Sequence, residues 1–419
     1  MNHQFDVVVI GGGPAGMMAA GTAAQNGFRV ALLEKNSRLG RKLMITGKGR
    51  CNITNNCDVQ TLISSVPSNG RFLYSAVTQL TPQNTMEFFE RLGVPVKTER
   101  GNRVFPQSDK AVDVVDAMSA YVKSHGVRVF TGEAQNLILK DGSVCGIATK
   151  DGEELLAESA VIACGGISYP GTGSTGSGYA LAKQAGHTVT QLRPSLVPLV
   201  SNDPECGEMQ GLSLKNISIK VYDTLKKQTI YEDFGEMLFT HFGISGPVIL
   251  SASSHMREMS PSRYEILLDL KPALSAEQLD ARLQRDFEKN HNKDFANSLS
   301  ELLPHKMTAV MVKKSGIAAT VKCNQITKEQ RRDFAALLKE YKITVQSFRP
   351  IEEAIVTSGG VKVSEINPKT MESKLVKGLF FAGEVIDVDA YTGGFNLQIA
   401  YSTGRLAGNS VSSSKTLSI

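Results

Sequence analysis

The chain of 419 residues contains no tryptophan and only 6% aromatic residues. That scarcity by itself excludes no function. The six cysteines, at 51, 57, 145, 164, 206 and 323, include no C-x-x-C pair. This argues against a disulfide framework, a zinc site and an iron–sulfur cluster, so no metal is expected. Cys145 and Cys164 fall in apolar, strand-like runs and read as core residues. The pattern fits a reducing compartment, the cytoplasm. No apolar run approaches the roughly 18 residues of a membrane span. The first apolar run begins at Val7, which leaves no room for a signal peptide. The C-terminal SSSKTLSI reads as a frayed polar tail and does not end in the S-K-L address. Lys and Arg outnumber Asp and Glu by 46 to 41, and they are scattered. A solvated surface explains them better than a nucleic-acid footprint, so no nucleic-acid partner is expected.

What the chain does have is a 41% hydrophobic content, enough for a sizeable core in two or three domains. Residues 6–34, DVVVIGGGPAGMMAAGTAAQNGFRVALLE, carry the clearest pattern. The run Val7 to Ile10 reads as a buried strand, Ala15 to Ala24 as a helix, and Phe28 to Leu33 as a second strand ending on Glu34. Gly11, Gly13 and Gly16 have G-x-G-x-x-G spacing. In a dinucleotide site the first glycine makes the turn, the second admits a pyrophosphate, and the third lets helix and strand pack closely. The helix N-terminus attracts phosphate. Glu34, about 20 residues on, suits a ribose hydroxyl. These residues alone leave FAD and NAD(P) open.

Hairpins are expected over Ala134 to Leu139, Val144 to Lys150 and Leu155 to Ala157, with turns at Asp141-Gly142 and Asp151-Gly152. Ala160 to Cys164 and Leu379 to Ala382 are fully apolar and suit a parallel sheet. Alternating segments up to about residue 270 suggest antiparallel strands, and residues 275–340 have helical period. The organisation read from this is an α/β cofactor domain made from both chain ends, 1–193 and 355–419. An insert, 194–354, is β-rich over 194–270 and 341–354 and helical over 275–340.

Four further segments carry candidate chemistry. Gly40 to Asn56, GRKLMITGKGRCNITNN, follows the ribose acid and is placed to wrap a cofactor. There Arg41 and Lys42 could neutralise pyrophosphate, Gly47 and Gly49 allow close approach, and Arg50, Cys51 and Asn52 could face a flavin ring. Against this stands an ordinary surface loop. GTGSTGSG at 171–178 repeats the glycine spacing but lacks an adjacent strand and a following acid, so it reads as a flexible or flavin-flanking loop. Without it there is no second nucleotide domain. Gly383 to Ala400 offers Glu384, Asp387 and a helix starting at Gly393-Gly394. That helix N-terminus could stabilise the N1–C2=O end of a reduced flavin, and it tips the first fingerprint toward FAD. LFTHFGISGP at 238–247 places His241 between aromatics, as a catalyst or as packing for the insert.

The motifs GGGPAG (11–16), LGRKLMITGKGRCNITN (39–55), RGNRVFPQS (100–108), GTGSTGSGY (171–179), LFTHFGISGP (238–247) and GEVIDVDAYTGGFNLQ (383–398) together resemble the BaiN/RdsA-type family of FAD-dependent oxidoreductases. The resemblance spans nearly the whole chain; many members carry Gly where Lys48 stands. It implies non-covalent FAD on a Rossmann-like, two-dinucleotide-binding-type fold with an inserted β-barrel-like and helical region. It implies FAD contacts from Ala15, Glu34, Lys35, Arg41, Lys42, Gly47, Ala134, Gly165, Glu384, Asn396 and Leu397. Some members resemble reductases of C=C bonds conjugated to a ketone in bile-acid or steroid intermediates, and others aminoacetone-type amine oxidases that make H2O2. The expectation is a small-molecule enone reductase. Tyr391 and His241 are its candidate acids and Arg50 an electrostatic clamp. NAD(P)H serves as transient donor, or else a carrier protein. An RNA-associated flavoprotein is the reading from another class.

Overall fold

A computed structural model describes residues 2–412; the polar-tail expectation falls mostly on 413–419, outside the described residues. The chain divides into two compact units, Met1–Ser195 with Ile351–Ile419, and Leu196–Pro350. Each has its own apolar core.

The first unit is built on a five-stranded sheet. Its strands are β1 (Val7–Ile10), β2 (Val30–Glu34), β3 (Arg128–Thr131), β4 (Ser159–Ile162) and β5 (Leu379–Phe381). Their order is β5-β4-β1-β2-β3, and every neighbouring pair is parallel. The C-terminal β5 therefore completes a sheet that the N-terminal half begins. β1, β2 and β4 are buried along their whole length, as the unbroken apolar runs require of a sheet covered on both faces. β2 starts at Val30 rather than Phe28, because Phe28 N–H closes the turn after the preceding helix on Ala23 O.

Helix α1 (Pro14–Gln25) follows β1, and helix α2 (Phe395–Ser410) ends the described chain. α1 is buried on almost every side, by small residues together with Met17 and Met18. A Cβ on Gly404 would strike Ala15 O and one on Gly408 would meet Ala19 O, so glycines bring α2 against α1 backbone to backbone. On another flank a Cβ on Gly21 would enter the Tyr121 ring of the helix Ala111–Ser124. Two further sheets, of four and three strands, belong to this unit. One runs Asn2–Gln4, Glu154–Leu156, Ser143–Thr149, Ala134–Lys140, with Asp141 and Gly142 both at positive φ in its hairpin turn. The other joins Thr54–Asn55, Arg103–Pro106 and Val96–Glu99.

The second unit is a seven-stranded antiparallel sheet, including Ser213–Asp223, Gln228–Thr240, Tyr264–Asp269 and Tyr341–Val345. Helices Ala276–Lys289, His305–Ser315 and Lys328–Lys339 lie between its last two long strands in sequence. Ser275 and Thr327 close capping boxes with Gln278 and Gln330 at two of these helix starts. Arg263 is buried beside Asp223, with its Nη2 2.9 Å from a carboxylate oxygen.

Arg193–Ser195 pairs antiparallel with Val356–Ser358 in a two-stranded ribbon, and both strands belong to the first unit. No helix among the described residues is long and apolar enough to cross a membrane. Cys145 and Cys164 are half-buried; Cys51, Cys206 and Cys323 are the buried thiols. Cys164, just beyond the end of β4, packs against the core of the first unit as expected, whereas Cys145 alternates outward on its strand.

Candidate functional site

The turn from β1 into α1 separates glycines the fold needs from one it does not. Gly11 has φ +102, and a Cβ there would sit 2.6 Å from Ala163 O. A Cβ on Gly16 would collide with Gly11 O. Gly13 has an ordinary φ of −76, and a Cβ there would meet nothing within 4 Å. The protein's own packing therefore does not require glycine at 13, and the backbone there is open to close approach. No side chain caps α1 and no acid stands in its first turn, which leaves the positive end of the helix for an anion.

Glu34 ends β2 beside this turn. Its Oε2 accepts from Gly12 N at 2.6 Å, and its Oε1 accepts from Asn36 N at 2.8 Å and Asn36 Nδ2 at 2.6 Å. Each carboxylate oxygen has two lone pairs, so Oε2 retains room for a ribose hydroxyl. Asn36, which the sequence reading missed, also donates to Thr172 O at 3.1 Å and accepts from the exposed Arg41. Lys35 donates to Thr175 Oγ1 at 2.6 Å and lies 3.9 Å from Glu133, the neighbour of buried Ala134. The 171–178 glycine loop is thus tied to the ribose end of the fingerprint by Lys35 and Asn36.

A second polar knot gathers around Glu384. Lys42 Nζ donates to its Oε2 at 2.8 Å, while Ser168 Oγ and Thr357 N donate to its Oε1 at 3.0 and 2.8 Å. Lys42 also reaches Ser168 Oγ at 2.6 Å. Gly165 has φ +73, and a Cβ on it would lie 4.0 Å from Glu384 Oε2. Ser168 and Thr357 are further residues that sequence pattern alone did not single out. Their polar types are common, and their partners lie far away in the chain.

The α2 start is also uncapped by side chains, and Gly394 there has φ +98. A Cβ on it would strike Thr54 O, so α2 begins against the end of the 40–56 segment. Asn396 turns its side chain back on the preceding loop, accepting from Ala390 N at 2.9 Å and donating to Ala390 O at 2.8 Å. Any cofactor contact from Asn396 and the half-buried Leu397 then falls to backbone or apolar atoms. Asp387 is held through its backbone, its carbonyl accepting from Asn69 Nδ2 at 2.8 Å. Tyr391 is half-buried, with its N–H on Ser65 O at 3.0 Å.

Within 40–56, Gly47 and Lys48 are both left-handed, with φ of +57 and +59. Asn52 Oδ1 is buried with no hydrogen-bond partner, a costly state for a polar atom. Cys51 does not face a cofactor cavity: it is fully buried, and burial pushes its thiol up to about 12. Arg50 Nε donates to Asp109 at 2.8 Å and its Nη1 to Glu99 at 3.2 Å, above the Phe105 ring. His241 belongs to the second unit, exposed at the turn between Gln228–Thr240 and Gly243–Ser245, with its ring edge-on to Phe242.

The open space at Gly13, the unspent capacity of Glu34 and the orphaned Asn52 acceptor together fit a dinucleotide such as FAD. Comparison with known proteins agrees. Residues 5–410 match the HI0933-like protein Rossmann domain. The chain is 31% identical over 408 residues to a 3-dehydro-bile acid delta(4,6)-reductase of Clostridium scindens, covering 96% of this chain and 97% of that one. It is 29% identical over 402 residues to a ribosomal RNA dihydrouridine synthase of Escherichia coli, covering 96% of each. The solved 3-ketosteroid delta1-dehydrogenase of Sterolibacterium denitrificans shares the fold, at a TM-score of 0.53 and 13% identity, covering 98% of this chain and 99% of that one. With the family matched across nearly its whole length, this chain belongs to the HI0933-like, BaiN/RdsA-type family of FAD-dependent oxidoreductases.

Proposed function

We propose that this enzyme reduces a C=C bond conjugated to a ketone, on a 3-oxo bile-acid or steroid-like substrate. The reading rests on its similarity to the Clostridium scindens reductase across 97% of that protein's length. Bound FAD supplies a two-electron carrier between a donor, NAD(P)H or a carrier protein, and the substrate β-carbon. The chain's own residues bind and orient. The α1 N-terminus with Lys42 takes the pyrophosphate, and Glu34 takes the ribose. The α2 N-terminus favours negative charge beside it. The Tyr391 hydroxyl gives a proton to the α-carbon as the β-carbon takes hydride, so that two hydrogens are added and the donor is oxidised. Asn396 fixes the loop that carries Tyr391 by its bonds to Ala390 and Tyr391 carbonyls, at 2.8 and 3.3 Å. Arg50 and His241 stand as candidates for an electrostatic and a second acid role.

A second reading is supported by the ribosomal RNA dihydrouridine synthases of Escherichia coli and Haemophilus influenzae, the latter 28% identical over 98% of this chain. The C5=C6 bond of uridine is also conjugated to a carbonyl, so both readings need the same hydride and proton transfer. They differ in what docks. Anaerobic reduction of the holoenzyme with NADH and NADPH, then mixing with a 3-oxo-4,6-diene steroid or unmodified ribosomal RNA, separates them. Reoxidation by the steroid with loss of the enone absorbance is the expected result. Turnover of RNA alone, weakening steeply with salt, establishes the second reading instead. Peroxide from an aminoketone with neither acceptor reduced overturns both.

A further inference from the structure

The bend at 47–51 is one its residue types do not favour. Gly47, Lys48, Gly49 and Cys51 all have positive φ, between 57 and 84 degrees, and lysine and cysteine stay there only when their surroundings hold them. Cys51 is held by burial and by its N–H on Thr46 O at 3.0 Å. Between the strained residues stands Arg50. Its planar guanidinium lies 4.1 Å from the Phe105 ring centre and grips Glu99 and Asp109, 49 and 59 positions away. Lys97 Nζ braces Asp109 at 2.7 Å. Two residues on, Asn52 presents its unpartnered amide oxygen, and Ile53 N–H binds Val104 O at 2.8 Å. A buried acceptor left unpaired is costly, and a donor on a bound ligand would relieve that cost.

We infer that Glu99 and Asp109 are positioning residues for the cofactor: by gripping Arg50 they hold the 47–52 bend in the form that presents Asn52 to FAD. This rests on the reading of that loop as part of the FAD site. The four charges are each partly exposed, and exposed pairs add little to global stability. Their effect is therefore expected in cofactor affinity rather than in folding. The fork geometry matters too: lysine keeps the charge at 50 but cannot bridge two carboxylates.

The test compares wild type with Glu99→Gln/Asp109→Asn, Arg50→Lys and Asn52→Ala. FAD titration of deflavinated protein follows fluorescence quenching and the visible spectrum of bound flavin. Far-UV circular dichroism and thermal midpoint of the apoprotein report folding. The expected result is FAD binding at least about tenfold weaker in all three, with altered flavin spectra and apo midpoints within about 3 °C of wild type. If Asn52→Ala weakens FAD but the double variant binds within twofold of wild type, the positioning role is overturned and the loop reading stands. If none of the three changes affinity, both fail. An equal fall in apo midpoint and affinity in the double variant shows a merely structural cluster and overturns the proposal.

Discussion

The Lys42 ammonium lies 2.8 Å from a Glu384 carboxylate oxygen, across 342 positions of chain. The glycine-rich loop from the start of the chain and the turn after β5 are therefore joined in one polar knot. Its side chains are only about a fifth exposed. Lys42→Met and Glu384→Gln should each weaken FAD binding about tenfold. In a double-mutant cycle the combined variant should lose little beyond the worse single one, because each removes the same pair. Additive losses would show that the two residues meet the cofactor independently.

The two kinds of glycine in the fingerprint should separate in experiment. Gly13→Ala is expected to leave apoprotein stability within about 1 kcal/mol of wild type, a change of the size helix-cap substitutions give, while FAD affinity falls more than tenfold. Gly16→Ala should destabilise the apoprotein itself by about 2 kcal/mol or more, because its Cβ meets the Gly11 carbonyl. Thermal denaturation before and after FAD addition reads both. A Gly13→Ala protein that binds FAD like wild type would remove the main geometric support for the dinucleotide site.

His187 offers a pH test of the core. It lies beneath β5 with its ring 4.8 Å from Phe381, Nε2 2.7 Å from Ser373 Oγ and Nδ1 3.2 Å from Glu365. Burial holds its pKa below the usual histidine value, against the pull of Glu365. The unfolded chain then binds a proton near pH 6.5 that the folded chain resists. Stability should fall as pH drops through that value, by at most about 1.4 kcal/mol per pH unit, until the folded-state pKa is reached. Urea midpoints between pH 7.5 and 5 should fall less in His187→Gln than in wild type. Parallel curves would mean that folding does not shift the His187 pKa.

Much of this site was readable before any coordinates. The strand, glycines, helix and acid of residues 7–34 are local and speak through periodicity. The Asp141-Gly142 turn states its own dihedrals. What stayed hidden was non-local. Nothing in the type of Lys48 or Cys51 announces a left-handed residue. Nothing near Arg50 announces Glu99 and Asp109, since the pairing depends on where the hairpin Val96–Glu99 and Arg103–Pro106 folds back. Thr357 binds Glu384 only because the strand Val356–Ser358 runs past that knot. Asn36 was the nearest miss. An asparagine two places after the ribose acid is a turn residue able to bond back to it.

The ribbon of Arg193–Ser195 and Val356–Ser358 has an evolutionary consequence. Ser195 and Val356 are direct partners across it, so the chain departs and returns at points about 5 Å apart. Whatever lies between them can be lengthened, shortened or exchanged without altering the strand order of the parallel sheet. Such a junction behaves as a grafting point: the intervening module can be exchanged with the fingerprint left intact.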